Sequence, residues 1–299
     1  MKWIIDEQYD GMIIREYLQK IHGFSRRILT AVKLERKNIQ VNGVEKNVRY
    51  ALSAGDVLEI RFPKEKVSAA LKSEKIDLDI VYEDEEVIVI NKPPGMATMP
   101  SPQHVTGTLA NGLIAYYRSC GRNDSTVHVV TRLDANTSGL VLIAKDRYTH
   151  SLFSEAQKAA KINRKYMAVV EGDLQAKGTI DAPIARKAGS IIEREVNDSG
   201  RRAVTHYKKL QELAGHSLVE IELETGRTHQ IRVHFSNEGY PLAGDDLYGG
   251  TLQLMGRQAL HCFDLSFRHP LTRRAVHLQV ELPEDMKLLL QGIELKKNV

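Results

Sequence analysis

Cysteine is nearly absent from this chain: 299 residues contain two, Cys120 and Cys262. Two isolated thiols supply neither a disulfide framework nor the paired ligands of a structural zinc site, so the chain reads as cytoplasmic and held together by burial. Long apolar runs are also lacking. The opening MKWIIDEQYDG meets its first acid at Asp6, which leaves no apolar core for a signal peptide, and no later window is long and uncharged enough to span a membrane. The familiar catalytic devices are missing too. There is no phosphate-cradling G-x-x-x-x-G-K-[ST], no G-x-G-x-x-G, no H-E-x-x-H and no G-x-S-x-G elbow. His229 and His234 stand five apart, a spacing that suits metal ligation on neither a helix nor a strand, so no metal is expected.

What is present is ordinary for a folded soluble protein: 42% hydrophobic and 27% charged residues, with a net charge of +4. The mild basic excess is uneven. Between positions 20 and 37, KIHGFSRRILTAVKLERK carries Lys20, Arg26, Arg27, Lys33, Arg36 and Lys37 against Glu35 alone. Such a patch suits phosphate contact, and a merely solvated helix face would look the same.

The N-terminal 62 residues read as a small α/β unit. Ile13, Ile14, Tyr17, Leu18 and Ile21 recur at helical spacing, Ser25 can cap a second helix carrying Ile28, Leu29 and Val32, and IQVNG and DVLEIRF suggest two strands. Residues 63–75, PKEKVSAALKSEK, are charged and poor in large apolar side chains, as a linker would be. From 76 to 299 strand signals dominate: two around the acidic turn at 83–86, then KYMAVVEG, a run near 203–210, HSLVEIELE and AVHLQVEL. Helices are fewer, near 109–118, 150–161 and 228–239. With no internal repeat, the expectation is an α+β fold: a catalytic domain on a mixed, mainly antiparallel sheet with flanking helices, preceded by the small unit.

Two stretches offer chemistry. In HVVTRLDANTSGLVLIAKD, Arg132 and Asp134 stand two apart on extended chain and so face the same way, away from Leu133. A carboxylate beside a guanidinium stays ionised and can act as a nucleophile; a surface ion pair beside a polar turn would read identically. In ETGRTHQIRVHF, Thr228 can cap a helix that puts His229 and Arg232 on one face, and Arg227 with Arg232 could grip an anion. The glycine-punctuated GDDLYGG at 244–250 allows close backbone approach.

Five stretches, VYEDEEVIVINKPPGM, RLDANTSGLVLIAK, RKYMAVVEG, TGRTHQIRVHF and PLAGDDLYGG, occur in an order that resembles the RluA-type RNA pseudouridine synthases over most of residues 76–285. Residues 11–62, through SRR, VNG and GD, resemble the RNA-binding domain first described in ribosomal protein S-four. The first resemblance implies isomerisation of uridine to pseudouridine without cofactor, with Asp134 as catalytic aspartate, Tyr166 as active-site tyrosine and Arg232 as the arginine paired with the aspartate. Arg132 would take the place of the flipped base, and RNA contact falls further to Arg227, Arg26, Arg27, Lys33 and Lys92. The implied partner is RNA, ribosomal before transfer RNA, acted on by a monomer. Thr131 and Met99 stand where the family usually has histidine, which would alter RNA choice if both face the cleft. Two other readings remain: an RNA-binding assembly protein without catalysis, or a glycosidic-bond hydrolase using Asp245 as a second carboxylate.

Overall fold

The computed structural model describes residues 1–34, 37–63, 65, 71–122 and 126–297, with side chains through Ile293. Arg36 and Glu35 of the basic stretch, and most of residues 64–70, lie outside the described residues.

The chain opens with β1 (Lys2–Ile4), then α1 (Ile14–Glu16), which continues as a single π-helical turn through Ile21. Helix α2 (Arg26–Lys33) starts where Ser25 Oγ accepts the Ile28 N–H at 3.2 Å, and buries Ile28, Leu29 and Val32 while leaving Arg26, Arg27 and Lys33 in solvent. Strands β2 (Ile39–Val41), β3 (Val44–Glu45) and β4 (Val57–Ile60) complete an antiparallel sheet in the order β1-β4-β2-β3. Asn42 and Gly43, both at positive φ, make the β2–β3 hairpin turn; Asn42 also bridges to Asp56 and to the Val57 N–H. A separate apolar core fills this unit, built on Ile14, Leu18, Phe24, Leu58 and Ile60.

A second, ten-stranded sheet follows. The elements of this part of the chain begin with β5 (Ile80–Glu83), β6 (Val87–Lys92), α3 (Leu109–Ser119), β7 (His128–Val129), β8 (Ser138–Ala144), α4 (Arg147–Lys158) and β9 (Ile162–Glu171). Then come β10 (Lys177–Asp181), β11 (Ile184–Arg186) and β12 (Arg194–Val196), which form a two-stranded sheet of their own, β13 (Val204–Leu213), β14 (His216–Leu223), α5 (Gln230–Asn237), β15 (Leu260–Arg268), β16 (Ala275–Gln279) and α6 (Glu284–Lys297). The main path runs β10-β13-β14-β9-β15-β8-β6-β5, with β7 beside β8 and β16 beside β15. Every pairing is antiparallel except β8 with β15, so the fold is α+β on a mainly antiparallel sheet.

Burial follows the pattern in the residues. In β14 Ser217, Val219 and Ile221 are buried on alternate positions, whereas all seven residues of β8, in the interior of the sheet, are buried. Helices α3, α4 and α5 join the main core of the sheet through Leu113, Phe153 and Phe235. Helix α6, which carries no clear motif in the sequence, forms a separate apolar cluster with Met286, Leu289 and Ile293 against Val169 and Leu213. No helix among the described residues is long and apolar enough to cross a membrane.

Candidate active site

One row of residues crosses the middle of the large sheet. Ile221 pairs with Tyr166, Tyr166 with Cys262, Cys262 with Gly139, and Gly139 with Lys92. The row needs glycine at 139: with φ of +111° there, any Cβ would collide with the Cys262 backbone. Immediately before it the chain makes the turn that carries Asp134.

That turn is held residue by residue. Leu133 O accepts from Thr98 Oγ1 at 2.9 Å, Ala135 O from Lys92 Nζ at 2.9 Å, and Asn136 O from Arg257 Nη1 at 2.9 Å. Thr137 Oγ1 accepts from Gln258 at 3.2 Å, and Ser138 Oγ meets His261 Nδ1 at 2.9 Å. Arg257 is itself clamped by both oxygens of Asp285, at 2.6 and 2.8 Å, which ties α6 to the turn. The polar run DANTS therefore serves as a set of attachment points, and one carboxylate is left facing a cleft.

Asp134 keeps 26% of its side chain exposed. Its Oδ2 lies 3.3 Å from Arg232 Nη1 and 3.9 Å from His229 Nε2, while its Oδ1 makes no hydrogen bond to another described residue. Arg232 faces it across a second carboxylate: Nε and Nη2 each bond Asp245 at 2.7 Å, in a bidentate pair whose aspartate is fully buried. Burial works against the Arg232 charge, but Asp245 and Asp134 more than offset it and raise its pKa. The guanidinium stacks over Tyr248 with its carbon 4.9 Å from the ring centroid. Tyr248 O–H also meets His229 Nδ1 at 2.8 Å and accepts the Arg194 N–H at 2.9 Å. Burial lowers the His229 pKa, with the Asp134 charge pulling the other way.

Tyr166 stands on β9, separated from β8 by β15, 4% exposed, its hydroxyl oxygen accepting from Arg164 Nη1 at 3.1 Å. Burial pushes its pKa well up and the Asp134 charge adds to the rise, so the phenol is neutral. Asp134 and Arg232 are thus in contact, and Tyr166 lies near enough for the Asp134 charge to act on its phenol.

Other expectations need correction. Arg132 does not pair with Asp134 as their adjacency suggested: it is exposed and makes no hydrogen bond or ion pair with another described residue, and the cation is Arg232, 98 residues away in sequence, the arginine that the family resemblance implied. Arg227 does not share an anion with Arg232. Its Nε donates to Arg202 O at 3.0 Å out in solvent, while Arg232 is committed to two aspartates. Thr228 does not cap α5; His229 occupies that position with φ of +58°, and Gln230 Oε1 accepts from Arg227 N and Thr225 Oγ1 in its place. Lys92 cannot reach RNA. It is fully buried, all three ammonium protons go to the carbonyls of Pro93, Met96 and Ala135, and burial pushes its pKa down to about 7 against the pull of Asp134. Thr131 is buried as well and gives its oxygen to the Leu142 N–H, so it points into the core and not the cleft. Asp245 has both oxygens on Arg232 and no exposure, which removes the second acid that a hydrolase would need. Tyr248, Arg257 and Gln258 escaped sequence reasoning; only Tyr248 lay in a quoted motif, GDDLYGG, where the glycines drew the attention.

A second group of titratable side chains lies apart from this cleft. His269, 1% exposed, turns Nε2 to Asp84 at 3.1 Å and Glu86 at 3.8 Å. Its Nδ1 accepts the N–H groups of Leu271 and Thr272, which leaves Nε2 facing the carboxylates at ion-pair distance without a hydrogen bond to them.

Comparison with known proteins adds four findings. The family model described as RNA pseudouridylate synthase matches residues 86–237. The uncharacterized RNA pseudouridine synthase YjbO of Bacillus subtilis is 49% identical over 94% of this chain and 99% of its own length. Ribosomal large subunit pseudouridine synthase D of Pseudomonas aeruginosa is 40% identical over 73% of this chain and 72% of its own. Among solved structures, human RNA pseudouridylate synthase domain containing 4 has the same fold over 72% of this chain and 92% of its own, with a TM-score of 0.59 at 24% identity.

Proposed function

The chain belongs to the RNA pseudouridine synthase family, and from that premise we propose which residues isomerise uridine and where the RNA lies. The reaction breaks the bond from ribose C1′ to ring N1, turns the base and joins C1′ to C5, whose proton moves to N1. Atoms and electrons balance within one nucleotide, so no redox partner is called for.

The observation that supports the reading best is the state of Asp134: one oxygen faced by a buried guanidinium, the other free toward the cleft. A carboxylate so placed needs no reorganisation when it attacks, because its turn is anchored on all sides and its counter-charge is fixed by Asp245. Arg232 is its fixed partner. Tyr166 offers a ring for the base to stack on, with a neutral hydroxyl near the reacting carbon. Arg132, exposed and unpaired among the described residues, is free to fill the gap left in the RNA stack, which offsets part of a flipping cost of a few kcal/mol.

The small N-terminal unit is the second half of the proposal. The exposed Arg26, Arg27 and Lys33 of α2 meet RNA phosphates, giving affinity without base readout, as in the S-four type of domain that this unit resembles. Ribosomal RNA is the preferred substrate on the name of the Pseudomonas relative, and the enzyme works as a cytoplasmic monomer.

The test is tritium release from RNA labelled at uridine C5. Release by the wild type and none by Asp134→Ala would support both activity and nucleophile; release by both would remove Asp134 from the role. Release from transfer RNA but not ribosomal RNA would overturn the substrate.

A further inference from the structure

The small unit does not merely hang from a linker. Tyr148, at the start of α4, is 3% exposed, and its surroundings belong to the other unit. Its ring lies 4.7 Å from that of Phe24 and stacks on Phe62 at 5.6 Å, and its hydroxyl donates to His22 O at 2.6 Å. One helical turn on, Leu152 fits against Gly23, where a Cβ would come within 2.9 Å of Leu152 Cδ2. Leu271, after β15, packs on the same core. Beyond the aromatic cluster Glu65 fastens the connecting segment: its carboxylate meets His128 Nε2 at 2.7 Å and the Arg147 N–H at 3.2 Å. Burial would raise the Glu65 pKa, yet the bonds to His128 and Arg147 bring it below its usual value.

The other face of α4 belongs to the large sheet. Phe153 is fully buried and meets Phe267 of β15 edge-on at 5.4 Å. Directly before α4 comes β8, which begins where the Asp134 turn ends. A continuous path of packed elements therefore runs from the candidate nucleophile through β8 and α4 to the core of the basic unit. A free thirteen-residue linker would instead allow a spread of about 20 Å in the spacing of the two units.

Building on the proposed RNA-binding role of the small unit, we propose that Tyr148 is a positioning residue: it seats that unit at a fixed separation from Asp134, and that separation helps select which uridine of a folded RNA is modified. RNA that engages α2 can present to the cleft only a nucleotide lying at the matching distance. A short single strand that never reaches α2 is indifferent to the seat.

The test uses the full chain with Tyr148→Ala, checked for folding by circular dichroism, on a large-subunit ribosomal RNA transcript and on a short fragment spanning the modified uridine. The expected result is a KM for the transcript raised about tenfold with kcat kept, pseudouridine appearing at additional positions, and unchanged kinetics on the fragment. Equal losses on both RNAs would mean a purely structural role, and unchanged kinetics and site choice on the transcript would mean that the seat does not matter; either overturns the proposal. Tyr148→Phe, which keeps the rings and loses one hydrogen bond, should behave as wild type. An Arg26→Glu, Arg27→Glu double variant separates the two layers. If it weakens transcript binding while Tyr148→Ala changes nothing, the seat alone is wrong; if it leaves binding untouched, the RNA-binding reading falls and the seat with it.

Discussion

The Asp134 cleft and the exposed face of α2 both carry arginine, and they use it in opposite ways. Arg232 is 7% exposed and bound by two aspartates, whereas Arg26 and Arg27 stand in solvent without an ion pair among the described residues. The difference teaches what each charge is for. A charge that must meet a reacting group is best fixed and desolvated in advance, because its reorganisation would otherwise add to the barrier. A charge that must meet a phosphate is best left hydrated and free, because its gain comes from releasing counterions on binding.

The largest expected effect breaks the comparison at the cleft. Asp134→Ala should lower tritium release by roughly 10⁴-fold or more with the thermal midpoint close to wild type, since this carboxylate is part exposed and its turn is anchored by its neighbours.

Next comes Asp245→Ala, which leaves Arg232 buried with one partner on its far side. Loss of about 3–5 kcal/mol in urea unfolding is expected, together with a lower kcat as the guanidinium shifts. A variant as stable as the wild type would show that water takes over the vacated oxygens.

Lys92 sharpens the contrast further, as the buried cation of the site. Lys92→Met leaves three carbonyls without their donor, at a cost of about 1–3 kcal/mol for each one that stays dry. Its pH dependence has a definite sign. The folded chain gives up this proton near pH 7 and the unfolded chain near about 10.4, so between those values the unfolded state holds the extra proton and the contribution of Lys92 to stability rises with pH. Stability of the wild type relative to Lys92→Met should therefore grow between pH 7 and 9; a flat difference would show that the carbonyls keep the ammonium charged throughout.

The smallest effect on the protein itself is expected at α2. Arg26→Glu with Arg27→Glu should change stability by no more than about 0.5 kcal/mol, while weakening RNA binding and reducing the slope of log affinity against log salt by roughly 2. A loss of stability instead would make these side chains structural.

Legibility in the sequence followed the same divide. Local periodicity marked β14 and α3 in advance, and Ser25 marked the start of α2, because alternation and capping are short-range. Helix α6 was missed: its contacts, Met286 and Leu289 on Val169 and Leu213, are spread over more than a hundred residues. In the site, Asp134, Tyr166 and Arg232 stood out through their motifs, and the motif resemblance, not adjacency, named the partner of Asp134: adjacency put Arg132 there, whereas Arg232 is the guanidinium in contact. Lys92, quoted for its charge, proved to be an internal clamp. Thr131, flagged as a departure beside the cleft, proved to be a core hydroxyl on Leu142.

By itself the sequence determined the kinds of element, the order of the motifs and the family, since these depend on residue type and spacing along the chain. The tertiary structure alone decided the rest of the pairing: that Arg132 stays clear of Asp134, that Asp245 is occupied, that Lys92 is enclosed and that Tyr148 joins the two units. Electrostatic pairing falls off over a few ångströms of space and takes no account of distance along the chain, so it is settled only when the sheet has brought β6, β8, β9 and α5 together.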